Sequence, residues 1–320
     1  MMSLSQVVGV FTLFVFASCA KQDATFECSG RTMGTTWRAQ IVHRDSANLK
    51  SVAETLQRRL DELDGIFSNW RSDSPVSRFN DSRSTEWQPV PRELAEAVSF
   101  CLDLSAKTDG AFDITAAPLI DLWGFGAKGH ITTPPDDEAV LKTKSRCGWR
   151  KLAVRVEPPA LKKAVPDVEI NVCSIAEGYA ADELAKMLRG RGTNNFLIEV
   201  AGAMVASGVN AQGQTWHVGV QQPDAAQGKS VISMPLQNQA ISTSGDYRQF
   251  FEHDGKRYSH ILDARTGRPI THGLQSVTVI ADSAFFADGW DTALLILGPV
   301  EGRAVAEKNN VSAMFLTDVE

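Results

Sequence analysis

Apolar positions recur along the chain with two periods. Leu49, Val52, Leu56, Leu60, Leu63 and Phe67 stand at helical spacing, which lines them up on one face of an amphipathic helix. Ser68-Asn69-Trp70-Arg71-Ser72-Asp73-Ser74-Pro75 is rich in turn formers and ends it. A second helix is predicted after Pro91, with Leu94, Ala97, Val98, Cys101 and Leu104 on its buried side, finishing near Thr108-Asp109-Gly110-Ala111. A third covers 174–188, and two more start at about Ala284 and Gly302. Alternating segments predict strands at 37–42, 196–200, 203–207, 216–221, 231–236, 239–243, 249–252, 257–262, 276–280 and 313–316. Residues 152–170 read as strand-like pieces interrupted by prolines, and 127–150 as a polar surface excursion. Without a regular strand–helix alternation, the pattern predicts an α+β fold, with mixed sheets and packed helices, rather than a doubly wound one.

Composition changes that picture little. The chain has 320 residues, 43% hydrophobic and 22% charged, with a net charge of −6. That balance, with no Lys/Arg run, argues against a general nucleic-acid binder. The first twenty residues differ: 7–17 is an apolar run of signal-peptide length, followed by Phe16-Ala17-Ser18-Cys19 and polar Lys21 to Asp23. Small residues before a cysteine resemble a bacterial lipobox with Cys19 lipidated, although no basic residue precedes the run. An uncleaved anchor and a plain secretory signal are the alternatives. The expected organisation is therefore 1–19 as signal and lipobox and 20–320 as one exported domain, held at the periplasmic side of a bacterial membrane. Cys28, Cys101, Cys147 and Cys173 are widely spaced, so neither a zinc site nor a redox motif is indicated.

Polar clusters interrupt the apolar pattern in a few places. In Ala287-Asp288-Gly289-Trp290-Asp291-Thr292, three oxygen-bearing side chains stand at i, i+3 and i+4. On a helix they share one turn, which suits a hard cation such as Mg²⁺. The competing explanation is that Asp288 caps the helix and Asp291 favours its positive end. Around Asn171 to Asp182 a strand gives way to a helix, offering free N–H groups to an anion, while Ser174 with Glu177 also reads as a capping box. Ser242-Thr243-Ser244-Gly245 fits close approach of backbone to a ligand or a strand-ending turn. His260 lies in an alternating strand beside the turn at Asp263 to Gly267.

Together these stretches resemble the ApbE family, the FAD:protein FMN transferases once described as thiamine-biosynthesis lipoproteins. The resemblance rests on Met33-Gly34-Thr35, Asp73-Ser74 to Arg78-Phe79-Asn80, Thr108-Asp109-Gly110-Ala111, Ile175 to Asp182, Thr243 to Tyr247, Ser259-His260-Ile261-Leu262-Asp263 with Thr266-Gly267, and Ala287 to Gly298, all in family order. It implies a single T-fold-related catalytic module that uses FAD and Mg²⁺, joins FMN to a Ser or Thr hydroxyl of a target protein, and releases AMP. By position it implies Mg²⁺ at Ser174 (through its carbonyl), Asp288, Asp291 and Thr292. It implies FAD contacts at Met33, Trp70, Asp109, Gly110, Ala111, Asn171, Glu177 and Leu262, and catalysis by His260, with Asp288 as a rival base. The implied partners are acceptor proteins of membrane redox complexes. Asn171 stands where the family commonly has Asp, and Cys173 where it has a small residue. An FAD diphosphatase giving FMN and AMP, and a lipoprotein that binds FAD without chemistry, are the alternative functions.

Overall fold

The computed structural model describes residues 24–43, 49–221, 230–247 and 249–317. The signal and lipobox expected at 1–19 lie outside them. A seven-stranded sheet forms the frame. Its strands are β1 (Ala24–Thr32), β2 (Thr35–His43), β3 (Phe196–Val200), β4 (Ala203–Ser207), β5 (Ala240–Gly245), β6 (Leu274–Ala281) and β7 (Ser312–Thr317). Neighbours in space follow the order along the chain, and every pairing is antiparallel. The sheet is a meander with long helical insertions after β2 and β6.

Alternation along each strand assigns the two faces. Phe196, Ile198 and Val200 point into the main core, while Leu197 joins a second cluster with Ala206 and Ile241 on the opposite face. That second face is covered by a ribbon, Trp216–Gln221 against Ser230–Leu236, through Trp216, Val218 and Leu236. The first face carries most of the helices.

The helices are α1 (Leu49–Phe67), α2 (Pro75–Asp81), α3 (Arg92–Lys107), α4 (Ala117–Leu122), α5 (Asp137–Lys144), α6 (Cys173–Gly190) and α7 (Ala284–Lys308), of which α4 and α5 pack in a separate cluster with Trp123 and Leu262. Leu56, Leu60, Leu63 and Phe67 are buried at the spacing the sequence shows. Arg59 on α1 donates to Glu93 on α3 and Glu183 on α6, both at 2.9 Å, tying three helices together. The α+β class is as expected. Two elements differ: α2 starts at the last residue of the stretch read as a turn and runs on through 76–81, where no element was expected, and α5 lies in the stretch read as an excursion. Each is a short helix nucleated by its N-cap, Ser74 or Asp136, accepting the N–H three residues on. Among the described residues, no helix is long and apolar enough to cross a membrane.

The first segment of α7, residues 284–298, is apolar nearly all round because it is buried between α6, α3 and the sheet, while 299–308 is largely exposed. At Gly298 the backbone leaves helical geometry with φ +77°, and Pro299 follows, so the expected stop appears as a kink between two helical segments. A side chain at Gly298 would meet the His272 ring at 2.6 Å.

Candidate active site

The site is built where α6, α7 and β5 meet. Ser283 caps α7, accepting from Phe286 N–H at 3.1 Å. Asp182 of α6 adds a second cap, taking Ser283 Oγ and the N–H groups of Ala284 and Phe285. Asp288 is therefore not the helix cap. It lies one turn further in, where its Oδ2 accepts from Gly178 N–H at 2.8 Å and its Oδ1 from Ser242 Oγ at 3.2 Å. Asp291 Oδ1 accepts from Ser244 Oγ at 2.9 Å, and the same hydroxyl lies 2.8 Å from Thr292 Oγ1. Ser242 and Ser244 are alternate residues of β5, so the strand period aims both at α7 in place of the apolar residues a core face would carry.

Asp288 and Thr292 are nearly buried and Asp291 completely so. Burial, then the nearby carboxylates of Asp291 and Glu177, raise the Asp288 pKa well above the ordinary range. Burial pushes Asp291 up to about 7. Asp291 Oδ2 is buried without a hydrogen-bond partner. Two packed carboxylates, an orphaned carboxylate oxygen and a ring of hydroxyls form an all-oxygen donor set that fits a hard divalent cation. Among the described residues no cluster of three or more His, Cys, Asp or Glu side chains suits a metal. The donors at Asp288, Asp291 and Thr292 are all oxygen, without the nitrogen or sulfur that zinc favours.

Above this floor opens a cavity of about 640 Å³. Its wall includes Trp70, Asn171, Ser174, Glu177, His260, Leu262, Asp288 and Thr292, which come from four separate stretches of the sequence and are brought together here. Asp291 stands just behind the wall. Met33, Asp109, Gly110 and Ala111 are not part of it. Met33 occupies the β1–β2 turn with φ +48°, half-buried against the core. Asp109 and Gly110 form the left-handed exit of α3, and Ala111 is buried beneath. Phe112 and Asp113, directly after them, do line the cavity. Asp113 was missed because its role is conformational: it accepts from Thr115 N–H, Thr115 Oγ1 and Trp149 N–H at 2.7–2.8 Å.

At the start of α6 the expected capping box is absent. Val172 occupies the cap position without a side-chain bond. Asn171 Oδ1 instead accepts the Cys173 N–H at 2.9 Å, a bond Asp could make equally well. Ser174 lies inside the first turn. In a regular helix its carbonyl is served by Gly178 N–H, the same N–H that reaches Asp288.

His260 follows the strand Lys256–Ser259. Its Nδ1 lies 3.0 Å from Gln249 O. A carbonyl oxygen only accepts, so the proton of this bond is on Nδ1, and the lone pair of the neutral ring is on Nε2. Phe125 holds the ring edge-on, with centroids 6.3 Å apart. Elsewhere on the wall Lys128 pairs with Asp121 and Glu169 at 2.9 and 3.1 Å.

A model of the ApbE family matches residues 33–315. The chain is 40% identical over 290 residues to the FAD:protein FMN transferase of Escherichia coli K12, an alignment covering 90% of this chain and 83% of that one. Among solved structures it resembles the flavin transferase ApbE from Vibrio cholerae, with a TM-score of 0.86 and 34% identity over 93% of this chain and 95% of that one. The apo form of the Pseudomonas stutzeri flavinyl transferase ApbE superposes with a TM-score of 0.85 and 38% identity, covering 93% of each chain. The cavity over paired aspartates, the meander sheet and these likenesses agree: the chain belongs to the ApbE family.

Proposed function

We infer that this protein transfers FMN from FAD to a hydroxyl of an acceptor protein, with AMP as the other product. The observation that carries the reading is the buried Asp288–Asp291–Thr292 set, with its orphaned Asp291 Oδ2, at the floor of a cavity that His260 also lines.

Asp288, Asp291 and Thr292, with the Ser174 carbonyl, are the groups that would hold Mg²⁺. Bound there, the cation supplies charge neutralisation for the FAD diphosphate. The protein's own groups do the rest. Glu177, Asp113 and Asp288 make the wall acidic, which favours an anionic diphosphate only when the carboxylate pair is neutralised. Trp70, 65% exposed, offers an aromatic face to a planar ring. The acceptor hydroxyl attacks the FMN-side phosphorus, forming the new P–O bond. The bond from that phosphorus to the bridging oxygen breaks, and AMP leaves. His260 Nε2 carries the lone pair that takes the hydroxyl proton. Asp288 is less suited to that step, since both its oxygens already accept hydrogen bonds.

The same cavity fits an FAD diphosphatase with water as acceptor, and the two differ only in what reaches His260. Binding of FAD without chemistry needs neither the carboxylate pair nor the histidine. The apolar run at 7–17 with small residues before Cys19 supports export and lipid anchoring, which would set the acceptor among membrane redox proteins. AMP release from FAD and Mg²⁺, counted with and without acceptor protein, tests the function. Release that requires acceptor supports transfer, and equal release without it supports hydrolysis.

A further inference from the structure

Between the strand Pro159–Lys163 and α6 the chain turns at 164–167, and residues 168–172 then belong to no helix or sheet. Val168, Ile170 and Val172 are fully buried, while Glu169 and Asn171 line the cavity. This is strand-like alternation without a neighbouring strand, so the buried peptide of Ile170 must find its hydrogen bonds elsewhere. It finds them on side-chain amides. Ile170 N–H donates to Asn80 Oδ1 at 2.7 Å, and Asn80 Nδ2 donates back to Ile170 O at 2.8 Å. Asn69 Nδ2 adds a second donor to the same carbonyl at 2.9 Å.

We propose that Asn80 is a positioning residue for FAD: its amide takes the place of a missing strand, fixing the Ile170 peptide and so the direction in which Glu169 and Asn171 face the cavity. The proposal rests on the reading that this cavity takes FAD. Asparagine is suited to the task because it offers one donor and one acceptor side by side, as a peptide does. Aspartate keeps the acceptor and turns a second one against the Ile170 carbonyl. Asn80 is itself held. α2 is pinned at its start by Ser74, whose Oγ donates to Ser68 O at 2.6 Å and accepts from Ser77 N–H. At its end the buried Lys163 ammonium donates to Asn80 O at 3.1 Å and Ser82 O at 2.7 Å, and it lies 4.7 Å from the Phe79 ring centroid. The rest of the 168–172 segment is held by core packing of Ile170 and Val172 and by the Asn171 N–H, which donates to Ile114 O at 2.8 Å. What the amide adds is register on the cavity side.

The test compares wild type with Asn80→Asp, Asn69→Ala and Lys163→Met, measuring FAD affinity by flavin fluorescence and steady-state kinetics well below each variant's melting temperature. Leaving a buried donor or acceptor unmatched weakens the linked function by roughly tenfold or more, so Asn80→Asp raises the Kd and KM for FAD by about that factor. The kcat at saturating FAD stays within about threefold, since His260 and the aspartate pair come from other elements. Asn69→Ala, which leaves Ile170 O one donor, changes KM by less than about threefold. Lys163→Met, which loosens the end of α2 without removing a hydrogen bond to the 168–172 segment, raises KM by an intermediate factor. It also keeps the question answerable if Asn80→Asp does not fold. Unaltered FAD affinity in folded Asn80→Asp, or in Lys163→Met, overturns the proposal. Wild-type protein that binds no FAD overturns the reading beneath it as well.

Discussion

Gly178 N–H donates to Asp288 Oδ2 at 2.8 Å across the contact of α6 with α7. The bond exists because residue 178 has no side chain. A Cβ there would lie 2.4 Å from Ala284 O and 2.6 Å from Asp288 Cβ, both held by helix backbone. Gly178→Ala must therefore push the helices apart and pull Asp288 from its place. We expect a loss of ~1–3 kcal/mol in urea denaturation, typical of overpacking, with turnover reduced at least about tenfold as the carboxylate pair separates. Wild-type turnover in the alanine variant would mean that the spacing of α6 and α7 is not critical.

Removing the carboxylate and removing the imidazole should have different signatures. Asp288→Ala is expected to abolish turnover and greatly weaken Mg²⁺ binding by calorimetry. His260→Ala should lower turnover by about 10²–10⁴-fold, the range for loss of a general base, while Mg²⁺ binding stays as in wild type. Full activity in His260→Ala would remove the imidazole from the proton transfer.

The carboxylate pair also predicts a pH dependence of the metal-free protein. Asp291 is raised from 3.8 to about 7 and Asp288 is raised as well. With folded values above unfolded ones, the native state holds more protons across that interval, so this contribution to stability falls as pH rises from about 4 to 7. Urea midpoints in EDTA should therefore drop less steeply with pH in Asp291→Asn than in wild type, and Mg²⁺ should flatten the wild-type profile. Identical slopes in the two proteins would show that the pair is not strained when empty.

Asp182 offers a control that separates fold from chemistry. It accepts from Ser283 Oγ, Ala284 N–H and Phe285 N–H at 2.6–3.0 Å, outside the cavity wall. Asp182→Ala should destabilise by ~1–2 kcal/mol, as for a lost helix cap, with the KM for FAD changed less than about twofold. A large KM change at full stability would place Asp182 in substrate binding instead.

Much of this was legible in the chain because it is written in local periods. Leu56, Leu60, Leu63 and Phe67 reveal α1, and Asp288, Asp291 and Thr292 share a helical turn whatever surrounds them. What escaped depends on contacts distant in sequence. The caps of α7 come from Ser283 and from Asp182, so Asp288 was free for another role, which spacing alone could not decide. Phe112 and Asp113 line the cavity, whereas Asp109 and Gly110 turn away, because the left-handed turn at 109–110 redirects the chain. α2 follows directly on a stretch of Ser, Asp and Pro that reads as turn, is too short to show a helical period, and its Asn80 meets Ile170 across ninety residues of sequence. No local pattern encodes that pairing.

The measurement that bears most directly on the transfer of FMN is the intact mass of an acceptor protein incubated with FAD, Mg²⁺ and this enzyme. The predicted result is a gain of one FMN on the acceptor, lost when EDTA is present and lost with Asp288→Ala. An acceptor of unchanged mass while FMN and AMP accumulate would contradict transfer and leave hydrolysis as the activity of this site.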